Sequence, residues 1–117
     1  MTTQADGDVW TPICALKELP VERGVTALVR GHAVALFLVP DGSVYAIGNH
    51  DPFSRSTVLG RGIVGERDGI PFVASPSSSR AFDLRSGACL NDPAVSVPAY
   101  GVKVVDGIVH VGSRSHP

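Results

Sequence analysis

Residues 44–53 read Val-Tyr-Ala-Ile-Gly-Asn-His-Asp-Pro-Phe, and residues 73–84 read Val-Ala-Ser-Pro-Ser-Ser-Ser-Arg-Ala-Phe-Asp-Leu. Each stretch starts with a short apolar run typical of a β-strand and continues into a polar segment that contains a proline. In the first stretch an Asp-Pro pair favours a turn, because the Asp side chain bonds the backbone that follows it. Both stretches therefore predict a strand that leads directly into a loop.

The rest of the chain repeats this pattern, with 13 glycines and 9 prolines separating short runs rich in valine and isoleucine. The predicted strands are Val9–Cys14, Val25–Val29, Ala33–Val39, Val44–Ile47, Gly62–Glu66, Ile70–Ala74, Ala81–Leu84, Val102–Val105 and Ile108–Gly112. No stretch has sustained helical periodicity, and Lys17–Arg23 predicts only a single turn that Pro20 limits. Many short strands at close spacing predict an all-β fold, either a small β-sandwich or a partly open barrel.

Glycine positions predict the connections between these strands. Asp-Gly pairs within residues 40–42, 67–69 and 105–107 predict three hairpin turns, because glycine accepts the positive φ that such turns require. A spaced set, Gly60, Gly62 and Gly65, has no helix after it, so it does not form a dinucleotide-binding motif. Bulges or close strand packing are the expected reason for these three glycines.

Length and composition indicate one folded domain over residues 1–117, with an ordered core of about 8–113 and polar ends, about Met1–Gly7 and Ser113–Pro117, that are expected to fray. A net charge of −1 lacks the excess of positive charge that is typical of proteins that bind nucleic acid or an anionic membrane surface. No apolar run approaches the roughly 20 residues that span a bilayer, and the N-terminus lacks the pattern of a signal peptide. The chain is therefore expected to be cytoplasmic, with Cys14 and Cys89 as buried reduced thiols.

The two loops and their flanks resemble the Rieske family, in which one loop supplies Cys-x-His and the other Cys-x-x-His to a [2Fe–2S] centre. In an alignment on the prolines and on Phe82-Asp83-Leu84, Asp51 and Phe53 occupy the positions of the first ligand pair. The positions of the second pair are Ser75 and Ser78. No thiolate or imidazole stands at any of the four, so the resemblance implies vacated cluster-ligand positions.

This resemblance also implies a fold, a Rieske-like antiparallel β-sandwich or partly open barrel formed by a single domain. Two loops at one end of such a domain hold the cluster. Here these loops extend over about Asn49–Leu59 and Ser75–Arg80.

The closer resemblance is to the small subunits of assimilatory NAD(P)H-dependent nitrite reductases, and it covers nearly the whole chain. Its most specific part is Asn-His-Asp-Pro-Phe-Ser at residues 49–54, followed by Val-Leu-Gly-Arg-Gly-Ile-Val-Gly at residues 58–65. The serine-rich segment 77–79 departs from the pattern expected of these subunits, so no role is carried over to its side chains.

What the resemblance implies is a non-catalytic subunit whose partner is the nitrite reductase large subunit. The large subunit of such an enzyme carries FAD, siroheme and a [4Fe–4S] cluster, and it reduces nitrite to ammonium with electrons from NADH or NADPH. The small subunit has no redox centre. The resemblance therefore implies no catalytic, cofactor-binding or metal-binding residue in this chain.

Three residues of the first loop are candidate partner contacts: His50, Pro52 and Phe53. His50 has no second histidine near it in sequence, so local hydrogen bonding or a partner contact is expected rather than metal binding. The Phe53 ring either fills the volume that a missing cluster leaves or stays exposed as an anchor for the partner, since aromatic residues are favoured at interface hot spots. The serines at 75 and 77–79 have no positioned base, so they are expected to be flexible loop residues rather than nucleophiles.

Two other functions stay open at this point. One is a redox or metal-binding module that has recruited new ligands such as His50, Asp51 and Cys89. The other is a Rieske-like ferredoxin-type module that serves another oxidoreductase. The Asp-Pro-Phe-Ser loop argues against the second function, but the predicted strands alone do not exclude it.

Overall fold

The computed structural model describes residues 9–114, which form eleven strands and two short 3-10 helices. The strands are β1 (Thr11–Ala15), β2 (Val25–Val29), β3 (His32–Leu38), β4 (Val44–Gly48), β5 (His50–Asp51), β6 (Ser56–Thr57), β7 (Ile63–Arg67), β8 (Ile70–Ala74), β9 (Ala81–Asp83), β10 (Ala99–Val105) and β11 (Ile108–Arg114). The 3-10 helices are Leu16–Glu18 and Leu59–Arg61. The predicted all-β fold is confirmed.

A large sheet of six antiparallel strands, in the order β1-β11-β10-β4-β3-β2, forms the body of the molecule. A second sheet of three strands, β7-β8-β9, lies against one face of it, and β5 and β6 form a separate two-stranded ribbon. Side chains alternate between the two faces of a strand. In β3 this places Ala35 and Phe37 in the core between the two sheets, and Val34 and Leu36 in a second core on the opposite face. Burial on both faces explains why β3 is a continuous apolar run.

Each of the nine predicted strands corresponds to an observed one, and the bounds differ by a few residues. The ribbon β5–β6 was not expected, because two-residue strands of polar residues carry no alternation signal. Residues 99–101 at the start of β10 were also not expected, because Pro98 and Gly101 interrupt the apolar run. The expected fraying of 113–117 is wrong for residues 113 and 114, which belong to β11. The remaining end residues, 1–7 and 115–117, lie outside the described residues.

The expected helical turn within residues 17–23 exists in a shorter form. The 3-10 helix Leu16–Glu18 ends at Leu19, whose backbone is extended. Pro20 favours this extended conformation in the residue before it. The second 3-10 helix was not predicted, because three residues are too few to show a periodic pattern.

Two of the three expected Asp-Gly hairpins are two-residue turns with positive φ at both positions, 52° and 82° at Asp68-Gly69 and 52° and 78° at Asp106-Gly107. The third, around Gly42 with φ of 93°, is a wider loop, in which the Val39 N–H donates to the Ser43 carbonyl at 3.0 Å and the Gly42 N–H donates to the Val39 carbonyl at 2.9 Å. A fourth two-residue turn joins β2 to β3 at Arg30-Gly31, with φ of 49° and 85°. Asparagine or aspartate is usual at the first position of such a turn, so arginine gave no signal there.

Arg30 has a second role, in which it closes the large sheet toward a barrel. Its guanidinium donates hydrogen bonds to the Thr11 hydroxyl at 2.5 Å, to the Val111 carbonyl at 3.3 Å and to the Gly112 carbonyl at 2.5 Å. The turn that carries Arg30 follows one edge strand, β2, whereas Thr11 lies on the other edge strand, β1. One side chain therefore connects the two edges of the sheet, which is a partly closed barrel.

Trp10 covers the same part of the sheet. A Cβ at Gly112 would lie 2.8 Å from the Trp10 ring and one at Gly101 would lie 3.4 Å from it, so the absence of a side chain at these two positions leaves room for the indole. The Lys103 ammonium lies 4.5 Å from the ring centroid on the exposed side.

We predict that Arg30→Ala lowers the free energy of unfolding by about 1–2 kcal/mol, because hydrogen bonds from a charged donor to backbone carbonyls are lost. Arg30→Lys should recover part of the loss, since an ammonium can reach one acceptor but cannot bridge two strands. Urea unfolding measures both effects. Arg23→Ala, at another exposed arginine, is the control, and an equal loss in that variant would contradict the proposed connection between the sheet edges.

Candidate functional site

The candidate site is the end of the molecule that we call the loop end, defined as residues 49–62 and 75–80. Strand β4 leads into the first part and β8 into the second. Asn49 closes the base of the first part: its N–H donates to the Ala33 carbonyl at 3.0 Å, and its side-chain oxygen accepts from the Gly60 N–H at 2.6 Å. Asn49 is buried, and the sequence analysis did not identify its role.

Close packing fixes where the first loop returns to the sheet. A Cβ at Gly24 would lie 2.1 Å from the Gly60 carbonyl oxygen, and a Cβ at Gly60 would lie 2.5 Å from the Thr26 methyl group. Gly62 and Gly65 face equally close neighbours in Ala74 and Phe72. The expectation of close packing for this glycine set is confirmed.

Asp51 organises the first loop. One carboxylate oxygen, Oδ1, accepts from the Phe53 N–H at 2.8 Å and from the Ser54 N–H at 3.4 Å, and the Asp51 carbonyl accepts from the Arg55 N–H at 2.8 Å. These bonds are the turn that the Asp-Pro pair predicts. The Asp51 residue is fully buried, although it is ionisable.

Ser75 organises the second loop in a similar way. Its hydroxyl oxygen accepts from the N–H groups of Ser77 at 3.1 Å and Ser78 at 3.3 Å, and its carbonyl accepts from the Ser79 N–H at 3.0 Å. Ser75 is only 3% exposed. The expectation that this serine is a flexible loop residue is therefore wrong, because its hydroxyl is a buried acceptor for the turn.

The two organising side chains bond each other. The Ser75 hydroxyl donates to the second carboxylate oxygen of Asp51, Oδ2, at 2.5 Å, and the bond is buried. A short O–H···O distance is typical of a hydrogen bond to an ionised acceptor. By alignment these two residues stand where the two cysteine ligands are expected, so a hydrogen bond joins the loops at this point.

The surroundings of Asp51 favour its charged form. Burial raises the pKa of the carboxyl group, but hydrogen bonds from the Ser75 and Ser78 hydroxyls and from the Phe53 N–H outweigh it and lower the pKa to about 2. The Ser54 hydroxyl contributes a smaller lowering effect, although it has no hydrogen-bond partner of good geometry. Asp51 is thus a buried carboxylate that stays ionised at neutral pH.

Phe53 lies between the core and a surface arginine. Its ring centroid is 6.2 Å from that of Phe82, at an angle of 45°, and the side chain packs against the core between the sheets. The Arg80 guanidinium covers the ring at 4.8 Å from its centroid. The half-buried Phe53 therefore contacts the core on one side and the exposed Arg80 guanidinium on the other. Arg80 and Phe53 lie in different loops, so no local sequence pattern connects them.

The other predicted site residues lie at the surface of the loop end. His50 is exposed, and its Nδ1 is 3.5 Å from the Thr57 hydroxyl across the ribbon. Pro52 is exposed, and Ser78 is half-buried with its hydroxyl accepting from the Arg80 N–H at 3.3 Å. Of the three candidate partner contacts, His50 and Pro52 are thus exposed and Phe53 is half-buried.

The residues present do not fit a Rieske cluster. Such a centre takes two thiolates on one iron and two imidazoles on the other. Here the four positions hold a carboxylate, a phenyl ring and two hydroxyls, and the carboxylate oxygens are already bonded within the protein. Phe53 has no atom that ligates iron.

The alternative set of ligands does not come together either. Within residues 9–114, no group of three or more His, Cys, Asp or Glu side chains is arranged to hold a metal ion. Cys89 lies in the core between the sheets, and burial together with Glu18 raises the pKa of the half-buried Cys14 thiol. Among the same residues, no helix has the length and apolar character that crossing a membrane requires.

Comparison with known proteins identifies relatives of this loop end and of the sheets around it. Residues 9–112 match the family model described as the Rieske-like [2Fe-2S] domain. The chain is 40% identical over 103 residues to the nitrite reductase (NADH) small subunit of Escherichia coli K12, which covers 87% of this chain and 95% of that protein.

Two further matches extend this comparison. A crystal structure assigned as an NADH-dependent nitrite reductase small subunit from Mycobacterium tuberculosis has a TM-score of 0.87 and 48% identity, and the match covers 92% of this chain and 97% of that one. The nitrite reductase [NAD(P)H] large subunit of Klebsiella oxytoca is 37% identical over 105 residues. That match takes in 90% of this chain and 11% of the larger protein.

We predict an acid-sensitive contribution of Asp51 to stability. Because its pKa is lowered in the folded state to about 2, the contribution is complete above the unfolded pKa near 4 and is lost as the pH falls through about 2. The size of this contribution is about 2 kcal/mol. Chemical unfolding of wild type and Asp51→Asn should be measured between these pH values. As the pH falls, the free energy of unfolding should decrease more steeply for the wild type.

The quantity to compare is the difference in the free energy of unfolding between wild type and Asp51→Asn at each pH, because other carboxyl groups also titrate in this range. The Ser43 N–H lowers the pKa of Asp41, for example, and this effect is common to both proteins. Parallel stability curves for wild type and Asp51→Asn would contradict the assignment.

A further prediction concerns Phe53. Phe53→Ala should lower the free energy of unfolding by about 2 kcal/mol, roughly half the usual cost of removing a fully buried ring, because only one side of Phe53 contacts the core. Phe53→Leu keeps most of the apolar contact and should lose less. Thermal unfolding of both variants tests this, and an unchanged melting temperature in Phe53→Ala would show that the ring is a surface group.

Proposed function

Because the chain belongs to the family of Rieske-like [2Fe-2S] domains and, within it, to the nitrite reductase small subunits, we propose that it is the small subunit of an NAD(P)H-dependent nitrite reductase and works without a cluster of its own. Its role is to associate with the large subunit, which carries the redox groups. Those groups are FAD, siroheme and a [4Fe–4S] cluster. Under this proposal no step of the electron transfer passes through a residue of this chain.

The observation that carries the non-redox role is the bond between Asp51 and Ser75. Both cysteine positions hold oxygen side chains, and these side chains are 2.5 Å apart and satisfied by each other and by the backbone. Breaking the hydrogen bonds of a buried carboxylate is costly, because a buried charge without partners destabilises the folded state by several kcal/mol. The loop end is therefore organised by its own hydrogen bonds, and a cluster has no place in that arrangement.

Association with the large subunit is supported by the Klebsiella oxytoca relative. In that protein a segment similar to 90% of this chain is part of a large-subunit polypeptide. A domain that occurs both as a separate chain and within its partner's chain is expected to contact the partner in both arrangements. The Escherichia coli K12 small subunit, in contrast, is a separate chain that matches 87% of this one.

The proposed reaction is the six-electron reduction of nitrite to ammonium, which serves nitrate assimilation in the cytoplasm. What this chain supplies is shape: two hydrogen-bonded loops on a partly closed sheet. A preformed surface of this kind lowers the ordering cost of binding a partner. We therefore assign the chain a binding role within the complex rather than a chemical one.

The test is to purify the chain alone and with its partner. Expressed with iron available, the isolated chain should be colourless and contain far less than one iron per chain, without the electron-paramagnetic signal of a reduced [2Fe–2S] centre. A cluster-bearing Rieske ferredoxin prepared in the same host is the control for cluster assembly. Tagged chain should retain the siroheme-containing large subunit from cells grown on nitrite.

Stoichiometric iron with that signal would contradict the non-redox role and favour the ferredoxin-type alternative. Unchanged growth on nitrite after deletion of the chain, together with no retained large subunit, would contradict the assignment to nitrite reductase. The two results are independent of each other. They therefore separate the absence of a cluster from the identity of the partner.

A further inference from the structure

The exposed carboxylates of the described residues lie at one end of the molecule, where exposed cations such as Lys17, Arg67 and Arg85 accompany them. The hairpin turns β3–β4, β7–β8 and β10–β11 lie at the end opposite the loop end. Strands β4 and β8 run from their turns toward the loop end. Strand β10 is antiparallel to β4, so it runs from the loop end toward the β10–β11 turn. Six exposed carboxylates lie on or beside these turns and the connected segments: Glu18, Glu22, Asp41, Glu66, Asp68 and Asp106.

The loop end differs, because its exposed charges are all positive. Residues 49–62 and 75–80 contain three arginines, Arg55, Arg61 and Arg80, and all three are exposed. The only carboxylate in these residues is Asp51, which is buried and bonded internally. Within residues 9–114 the one ion pair is Arg85–Asp83, so none of the three arginines is neutralised by a neighbouring carboxylate. The exposed arginines are therefore the charged groups of the accessible surface of the loop end.

Two exposed apolar side chains border this cationic surface. Leu28 is 75% exposed and Ile63 is 74% exposed, which are the highest values among the large hydrophobic residues described. Leu28 pairs with Ala33, whose carbonyl bonds the first residue of the loop end, and Ile63 pairs with Ala74, the residue before Ser75. Both therefore lie at the margin of the loop end.

Within this surface, Arg80 lies over the Phe53 ring. An arginine held against an aromatic ring presents its donors in a fixed orientation, and its fork matches a carboxylate. Cationic and aromatic groups surrounded by apolar side chains are the composition that interface hot spots favour. A nucleic-acid surface, in contrast, would not require exposed leucine and isoleucine at its margin.

We propose that the loop end, with Arg80 over Phe53, with the exposed Arg55 and Arg61, and with Leu28 and Ile63 at its margin, docks on an acidic patch of the nitrite reductase large subunit. This inference rests on the proposed function and adds the docking face and the chemistry of the partner surface. The opposite end, which holds the exposed carboxylates, stays directed away from the partner. Such a charge distribution orients the subunit before contact and raises the rate of association.

The experiment measures binding of the purified chain to the purified large subunit. For wild type, Kd should rise as the ionic strength increases from about 0.01 M to about 1 M, because the Debye length shortens from about 30 Å to about 3 Å. The variant R55E/R61E/R80E should raise Kd by about 30-fold or more. Leu28→Asp and Ile63→Asp, at highly exposed positions that folding does not need, should each raise it by about fivefold to tenfold.

A matched control is available at the opposite end. Arg67 is exposed and lies over the Phe72 ring, with its guanidinium carbon 5.4 Å from the centroid, so Arg67→Glu repeats the Arg80→Glu change at that end. Arg67→Glu should leave Kd unchanged or nearly so, whereas Arg80→Glu should raise it by about tenfold. Melting temperatures of all variants exclude unfolding as the cause.

The outcomes separate the inference from the proposed function. If wild type binds the large subunit and R55E/R61E/R80E, L28D and I63D bind equally well, the docking face is wrong and the subunit assignment stands. A larger loss of affinity for the large subunit in Arg67→Glu than in Arg80→Glu would place docking at the opposite end. If wild type binds only a DNA duplex or a second copy of itself, and not the large subunit, both the function and the docking face are wrong.

Discussion

The hydrogen bond between the Ser75 hydroxyl and the Asp51 carboxylate is the contact on which the loop end depends. Each of these residues organises the turn of its own loop, so the bond couples one turn to the other. The carboxylate is fully buried, and a buried charge is tolerated only when it is well hydrogen-bonded. Removal of either partner would therefore disturb both loops.

The bond stands at the positions where a Rieske domain places its cysteine ligands. A cluster joins two loops through metal–ligand bonds, whereas here an ionised carboxylate and a hydroxyl join them directly. The carboxylate stays charged because hydrogen bonds overcome the effect of burial on its pKa. A hydrogen bond thus joins the loops where a Rieske domain uses its cluster, and this supports the proposed binding role.

The large sheet supplies the rigid support for this end. Arg30 connects its two edge strands, Trp10 covers Gly101 and Gly112, and β3 is buried on both faces. Loops on a rigid scaffold are suited to recognition, because little freedom is lost when a partner binds. Turns and strand directions also place the exposed carboxylates at the far end, so the fold determines that the exposed charges of the loop end are positive.

The all-β class, two of the two-residue hairpins and the absence of cluster ligands follow from the sequence by itself, because β-branched runs, Asp-Gly pairs and residue identities are local signals. Only the tertiary structure decided the buried role of Ser75, the cover of Arg80 over Phe53 and the connection made by Arg30. Asp51 and Ser75 are 24 residues apart in sequence, and Arg30 and Gly112 are 82 apart. Such contacts depend on how strands pair and sheets pack, which no local pattern encodes.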